Sequence, residues 1–119
     1  MQKKVYVVNA GGHNYADAER FGTVVFCTEG PQDKLDVNQM YRNCADTMQD
    51  ASPDDHILIT SLASLCSVAC AFFAARFGQL HLLLYKDGQY ISRSLYFDGK
   101  RSDNLEKDSQ LDFPQTSQR

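Results

Sequence analysis

The apolar positions of this chain fall into short continuous runs that are separated by segments with a helical repeat. The run 5–8 (VYVV) is apolar or aromatic at every position, without the alternation of a half-exposed strand. Such runs are typical of parallel strands that are covered on both faces. In the helical segments, apolar residues recur at three- and four-residue spacing. The pattern predicts strands over 5–9, 23–28, 56–60, 80–86 and 89–95, and helices over 15–21, over about 36–50, and after 61–64 as far as 77.

The order of these elements, β-α-β-α-β-α-β-β, predicts an α/β domain with a mostly parallel sheet. Right-handed crossovers place helices on both faces, which gives a three-layer, Rossmann-like arrangement. The expected strand order is the flavodoxin-like order 2-1-3-4-5. Asp87-Gly88 is the signal of a type I′ turn, so the last two strands form an antiparallel hairpin at the edge. The domain is expected over 1–97, followed by a polar tail over 98–119 that we predict to be disordered.

In this strand order the connections from strands one and three leave in opposite directions, and open α/β sheets bind ligands at such a switch point. Two loops would meet there, 9–14 and 60–64. The second opens a helix, whose N-terminal N–H groups attract anions, and the glycines of the first allow close backbone approach. A nucleotide or another phosphate-bearing molecule is therefore the expected ligand. The predicted ligand-binding residues are Asn9, Gly11, Gly12, His13, Asn14, Glu29, Thr60, Ser61 and Ser64.

A second interpretation gives the same residues structural roles only. Gly11 and Gly12 would make a tight turn, and the hydroxyl groups of Thr60, Ser61 and Ser64 would cap the helix. Neither G-x-G-x-x-G nor G-x-x-x-x-G-K-[ST] occurs, so neither nucleotide fingerprint is met.

His13 is the only candidate for a catalytic acid or base, but a lone loop histidine more often stabilises its loop. The catalytic residues stay unknown, and a non-enzymatic protein is favoured.

Composition narrows the function classes. The 119 residues carry a net charge of -3, whereas nucleic-acid binders are usually basic. No signal peptide is visible, and the longest apolar segment, 62–77, is too short and interrupted for a membrane span, so a cytoplasmic protein is expected.

The cysteines contain no Cys-x-x-Cys pair and have no histidine at a matching spacing, which predicts structural thiols and neither metal nor cofactor. The four cysteines are Cys27, Cys44, Cys66 and Cys70.

The predicted helix that ends at Phe77 is apolar almost all round. A helix of this kind is either central or faces both the sheet and another subunit. We therefore expect a homo-oligomer.

The opening VYVVNAGGHNYADAERFG, followed by TVVFCTEGP, resembles small phage-encoded α/β proteins of unassigned function. The resemblance continues through SPDDHILITS to the final hairpin and covers residues 3–97. It implies a viral accessory protein that acts in a bacterial cytoplasm, and it transfers no catalytic residue.

Three functions remain open at this stage. The first is a small module that binds a phosphate-bearing or nucleotide-like ligand at the carboxyl edge of the sheet. The second is a protein-interaction factor without a small ligand, which self-associates or engages a host protein. The third is a small hydrolase or transferase that uses His13.

Overall fold

A computed structural model describes residues 2–11 and 14–97. Every predicted strand and helix of the domain is present, and most are shorter than predicted because loops take over their ends. The predicted tail, 98–119, lies outside the described residues. The elements are β1 (Lys4–Val7), a 3-10 helix (Ala16–Phe21), β2 (Thr23–Phe26), α1 (Val37–Thr47), β3 (His56–Leu58), α2 (Ala63–Phe77), β4 (Gln79–Lys86) and β5 (Gln89–Tyr96).

The described strands form one sheet in the order β2-β1-β3-β4-β5, which confirms the predicted order. β1 pairs in parallel with β2 and β3, and β3 pairs in parallel with β4. β4 and β5 form the predicted antiparallel hairpin. Its turn residues Asp87 and Gly88 have φ values of 51° and 84°, the positive values that a type I′ turn requires. β1 and β3 are therefore neighbours at the predicted switch point.

α1 and α2 cover one face of the sheet. Asp36 is the N-cap of α1, and its carboxylate accepts a hydrogen bond from the backbone N–H of Gln39. α2 ends at Gly78, which has a φ of 72° and so forms a left-handed C-cap. The core on this face is built from residues of the sheet and both helices: Tyr6, Val8, Cys27, Met40, Cys44, Met48, Ile57, Leu65, Cys66, Ala69, Phe73 and Leu80.

The four cysteines are free and lie in or against this core, as predicted for structural thiols. Cys70 is the least buried of them. Burial raises the pKa of the Cys70 thiol to about 11, so it is protonated and unreactive at neutral pH.

The other face of the sheet is covered by the 3-10 helix. An α-helix was predicted here, but the segment makes only i+3 bonds at its ends, from Ala18 N to the Tyr15 carbonyl and from Gly22 N to the Glu19 carbonyl. The segment has 6 residues, which are too few for the i+4 repeat to gain cooperativity. Asn14 does bond the start of the segment, since its Oδ1 accepts from Ala16 N at 2.8 Å.

The 3-10 helix also contacts β5, the strand at one side of the sheet. The Asp17 carboxylate accepts a hydrogen bond of 2.8 Å from Tyr90 N, and the Arg20 guanidinium donates one of 2.7 Å to the Tyr90 carbonyl. Asp17 and Arg20 form an ion pair at 3.2 Å. These contacts tie β5 to the 3-10 helix across the face and fix the backbone of Tyr90.

Candidate functional site

The loop that follows β1 is anchored to the end of β2. Ala10 N donates to the Thr28 carbonyl at 2.9 Å, and Ala10 pairs with Glu29 in a parallel bridge. The Thr28 hydroxyl lies 2.6 Å from Asn9 Oδ1 and 3.1 Å from the Val8 carbonyl oxygen, and its proton is shared between these two acceptors. This contact leaves the Asn9 Nδ2 amide as a donor that no other described residue engages. Asn9 therefore presents an N–H donor at the carboxyl edge of the sheet.

A first cavity of about 440 Å³ opens between this loop and β3, on the face of the 3-10 helix. Its volume lies within the roughly 300–1,000 Å³ of small-molecule sites. The residues around it come from the loop, the end of β3 and the hairpin: Asn9, Gly11, Asn14, Tyr15, Leu58, Ile59, Thr60, Ser61, Tyr85 and Tyr90.

Three tyrosines of this cavity are absent from the predicted site. Tyr85 and Tyr90 flank the hairpin turn, and their rings meet edge to face at 5.2 Å. The hairpin reaches the cavity because β4 continues to Lys86, whereas β3 ends at Leu58 opposite Leu83. Tyr15 completes the wall, and its hydroxyl accepts a hydrogen bond from Gly11 N at 3.2 Å. The sequence feature that could have identified Tyr85 and Tyr90 is their position, since one tyrosine lies on each side of the Asp-Gly turn.

A second cavity of about 480 Å³ adjoins the first and shares Asn9 and Ser61 with it. It lies at the N-terminus of α2 and includes a cation, Lys34, and an amide, Gln32, that the sequence did not suggest. The other residues around it are Gly30, Pro31, Leu62, Ala63 and Ser64.

The N-terminus of α2 carries no side-chain cap. Its first intrahelical bond runs from Cys66 N to the Leu62 carbonyl, so the backbone N–H groups of 63–65 have no acceptor within the helix. Ser64 does not cap them, because its hydroxyl oxygen is buried and has no partner in the part of the chain that the structure describes. Thr60 does not cap them either, since its hydroxyl contacts Cys66 Sγ at 3.7 Å. The capping interpretation is therefore wrong for these two residues.

Most of the predicted site residues come together. Five of them line the first cavity, namely Asn9, Gly11, Asn14, Thr60 and Ser61, and Ser64 lines the second. Glu29 lies beside the loop but lines neither cavity, and its backbone carbonyl accepts a hydrogen bond from Gln32. Gly12 and His13 lie outside the described residues, so the only catalytic candidate stays a prediction.

The other two histidines lie at the opposite edge of the sheet. His56 Nε2 lies 3.1 Å from Ser92 Oγ, and His81 Nδ1 lies 2.7 Å from Ser94 Oγ. Burial and, to a lesser degree, His81 lower the pKa of His56, so it is neutral at pH 7. These contacts tie both side chains to β5.

Within 2–11 and 14–97, no group of three or more His, Cys, Asp or Glu side chains is placed to hold a metal ion. No helix in this part of the chain is long and apolar enough to cross a membrane.

The fold and site define an α/β protein with paired cavities at the switch point of its sheet. The chain belongs to the family of phage Pam3 gp32-like proteins, whose family model matches residues 3–99. This match confirms the resemblance to small phage-encoded proteins that the opening sequence suggested. No curated protein and no solved structure matched the chain.

Proposed function

We propose that this phage protein binds a phosphate-bearing or nucleotide-like small molecule across the two adjoining cavities. The observation that carries the proposal is the uncapped N-terminus of α2 beside the buried, unpartnered hydroxyl of Ser64. A buried hydroxyl without a partner costs free energy, about 1–3 kcal/mol. Rotation of the Ser64 side chain would bring this hydroxyl into the second cavity, which Ser64 lines, and a ligand oxygen there would supply the missing partner.

The charges around the second cavity favour an anion. α2 has 15 residues, so its N-terminus carries the partial positive charge of a full helix dipole. Lys34 adds a positive charge, and none of the described residues that line the cavity is acidic. A phosphate accepts several N–H and O–H donors at once, which matches the N–H groups of 63–65 and the hydroxyls of Ser61 and Ser64.

The proposal includes the finer fold assignment, a three-layer Rossmann-like domain of the flavodoxin-like type. The strand order and the position of the cavities at the switch point support it. It also includes action in the cytoplasm of the bacterial host, which fits a phage-encoded accessory protein.

Thermal unfolding in the presence of inorganic pyrophosphate and ribose 5-phosphate tests the proposal. A compound present at 100 times its dissociation constant stabilises the native state by about 2.7 kcal/mol, which raises the melting temperature by several degrees. Ser64→Ala should reduce that rise without lowering the stability of the free protein, because its hydroxyl has no partner to lose. Ser67→Ala is the matched control, since the Ser67 hydroxyl bonds the Ala63 carbonyl of its own helix at 2.9 Å. An equal effect of both variants, or no stabilisation by either compound, would reject the proposal.

A second candidate function, self-association, is favoured by the outer surface of the helical layer. A groove of about 580 Å³ runs between α1 and α2 and is lined mainly by apolar side chains. Val37 and Tyr41, two of its apolar lining residues, are 49% and 54% exposed. The remaining lining residues are Asn38, Val68, Ala71, Phe72, Ala75 and Arg76.

A second copy of the chain suits this groove better than a charged partner. Among the described residues that line it, the charged one is Arg76, which already donates to the Met48 and Gln49 carbonyls at 2.7 and 3.0 Å. Two such surfaces would therefore meet with guanidinium donors that already have acceptors within their own protomer. Ala71 and Ala75 are small, so two helices could approach closely.

A further inference from the structure

The two cavities differ in charge. No described residue around the first cavity is charged, whereas the second combines Lys34 with the N-terminus of α2. An anion would be drawn to the second cavity and gain little in the first. The first cavity instead offers aromatic rings and neutral hydrogen-bonding groups. This division of chemistry along one crevice matches a ligand with a neutral planar end and a phosphate end.

The tyrosines of the first cavity are held in different ways. Tyr90 is only 5% exposed, and its backbone is fixed on both sides by Asp17 and Arg20. Tyr85 is 63% exposed and packs against Tyr90 only by an edge-to-face contact. The ring of Tyr85 therefore has apolar surface that a planar ligand ring could cover, beside the buried ring of Tyr90, whose backbone is anchored by hydrogen bonds.

Polar groups at the same place would orient such a ring. Asn9 lines both cavities, and its Oδ1 is held by the Thr28 hydroxyl, so its Nδ2 amide is left to donate to the ligand. The Tyr90 hydroxyl has no hydrogen-bond partner among the described residues. A heterocycle or a ribose carries acceptors for both donors, whereas an aliphatic ligand does not.

We propose that the first cavity is a base-binding subsite and that the ligand is a nucleoside 5′-phosphate, with its base on Tyr85 and Tyr90 and its phosphate at the N-terminus of α2. The inference rests on the proposed function, because the second cavity supplies the phosphate subsite. Stacking on an aromatic side chain is tolerant of base identity, so the geometry names the class of ligand and not the base.

Isothermal titration calorimetry with AMP, GMP, CMP and UMP, and separately with ribose 5-phosphate and adenosine, tests the two subsites independently. At least one nucleotide should bind about 10-fold or more tightly than ribose 5-phosphate, because only the nucleotide stacks. Tyr85→Ala should weaken that nucleotide about 10-fold and leave ribose 5-phosphate unchanged. Tyr85→Phe should keep the wild-type affinity, since it keeps the ring.

Phe97→Ala is the matched control, because Phe97 is an exposed aromatic residue, 54% accessible, at the opposite edge of the sheet. Equal affinities for nucleotides and ribose 5-phosphate, or an equal loss for both in Tyr85→Ala, would overturn the base subsite and leave the phosphate proposal standing. Binding of adenosine without any binding of ribose 5-phosphate would support the base subsite and reject the phosphate subsite. If no compound binds, both proposals fail.

Discussion

Gly22 shows how one residue fixes the approach of the 3-10 helix to the sheet. Its φ is 157°, and a Cβ added there would lie 2.6 Å from the Lys3 carbonyl oxygen. That oxygen already accepts a hydrogen bond from Thr23 N at 2.9 Å, the bond that begins the pairing of β2 with β1. The clash is with backbone atoms, so no side-chain movement can relieve it.

Gly22→Ala is therefore expected to lower the free energy of unfolding by about 2 kcal/mol or more, from backbone strain together with the clash. Urea denaturation measures the loss. The control is Gly30→Ala, where φ is 75° but no heavy atom lies within 4 Å of the added Cβ. That variant should lose only about 1 kcal/mol, the cost of a left-handed backbone. If the free energy of unfolding falls by the same amount in both variants, the close approach of Gly22 to the Lys3 carbonyl does not contribute to the loss.

At the scale of the element, the contact between the 3-10 helix and β5 makes a pH-dependent contribution to stability. The hydrogen bond from Tyr90 N, followed by the one from Arg20, lowers the pKa of Asp17. A carboxylate whose pKa is lowered in the native state stabilises that state above its unfolded pKa. The contribution is lost as the pH falls through the lowered pKa.

Asp17→Asn should thus be less stable than the wild type at neutral pH, because the charge is gone while the shape and one acceptor remain. The difference should shrink in strongly acidic solution, below the usual titration range of an aspartate. Melting temperatures of both proteins across the acid range provide the measurement. A difference that stays constant with pH would show that the charge of Asp17 does not stabilise the contact.

The elements also show what the sequence could predict. The continuous runs are sufficient for the strands, and the handedness of the crossovers reduces the possible strand orders to a few, because both depend on local pattern and chain connectivity. The 3-10 geometry of Ala16–Phe21 was not predictable in the same way, since it depends on bonds from the flanking Asn14 and Gly22.

The residues of the site also fall into those that the sequence could predict and those that it could not. The loop at Asn9 and the segment at Ser61 follow from the order of the strands. Tyr85 and Tyr90 do not, because they reach the cavity only through the unequal lengths of β3 and β4. Lys34 was missed because it lies in a turn and follows no strand end. Its position depends on how that turn folds against the start of α2.

At the scale of the whole molecule, the apolar residues of the layer formed by α1 and α2 have two roles. Some are buried against the sheet, and others line the outer groove. α2 buries Leu65, Cys66, Ala69 and Phe73 against the sheet and α1. It still presents Ala71 and Ala75 at the outer groove, which explains why its sequence is apolar all round. The sequence alone could not separate a central helix from one that faces a second subunit, because both interpretations predict the same composition.

Self-association through this groove predicts that the wild type is a dimer or larger oligomer at micromolar concentrations, as measured by size-exclusion chromatography with light scattering. Ala71→Glu should raise the dissociation constant of the oligomer at least 10-fold and so favour the monomer, because a carboxylate buried without a partner costs several kcal/mol. Gln89→Glu adds the same charge on the hairpin, outside the groove, and should keep the wild-type state. Stable interfaces bury about 800 Å² per partner. The exposed Tyr41, which lines the groove, should therefore belong to the buried area. A wild type that is monomeric at every concentration, or an Ala71→Glu oligomer as stable as the wild type, would exclude this surface as the interface.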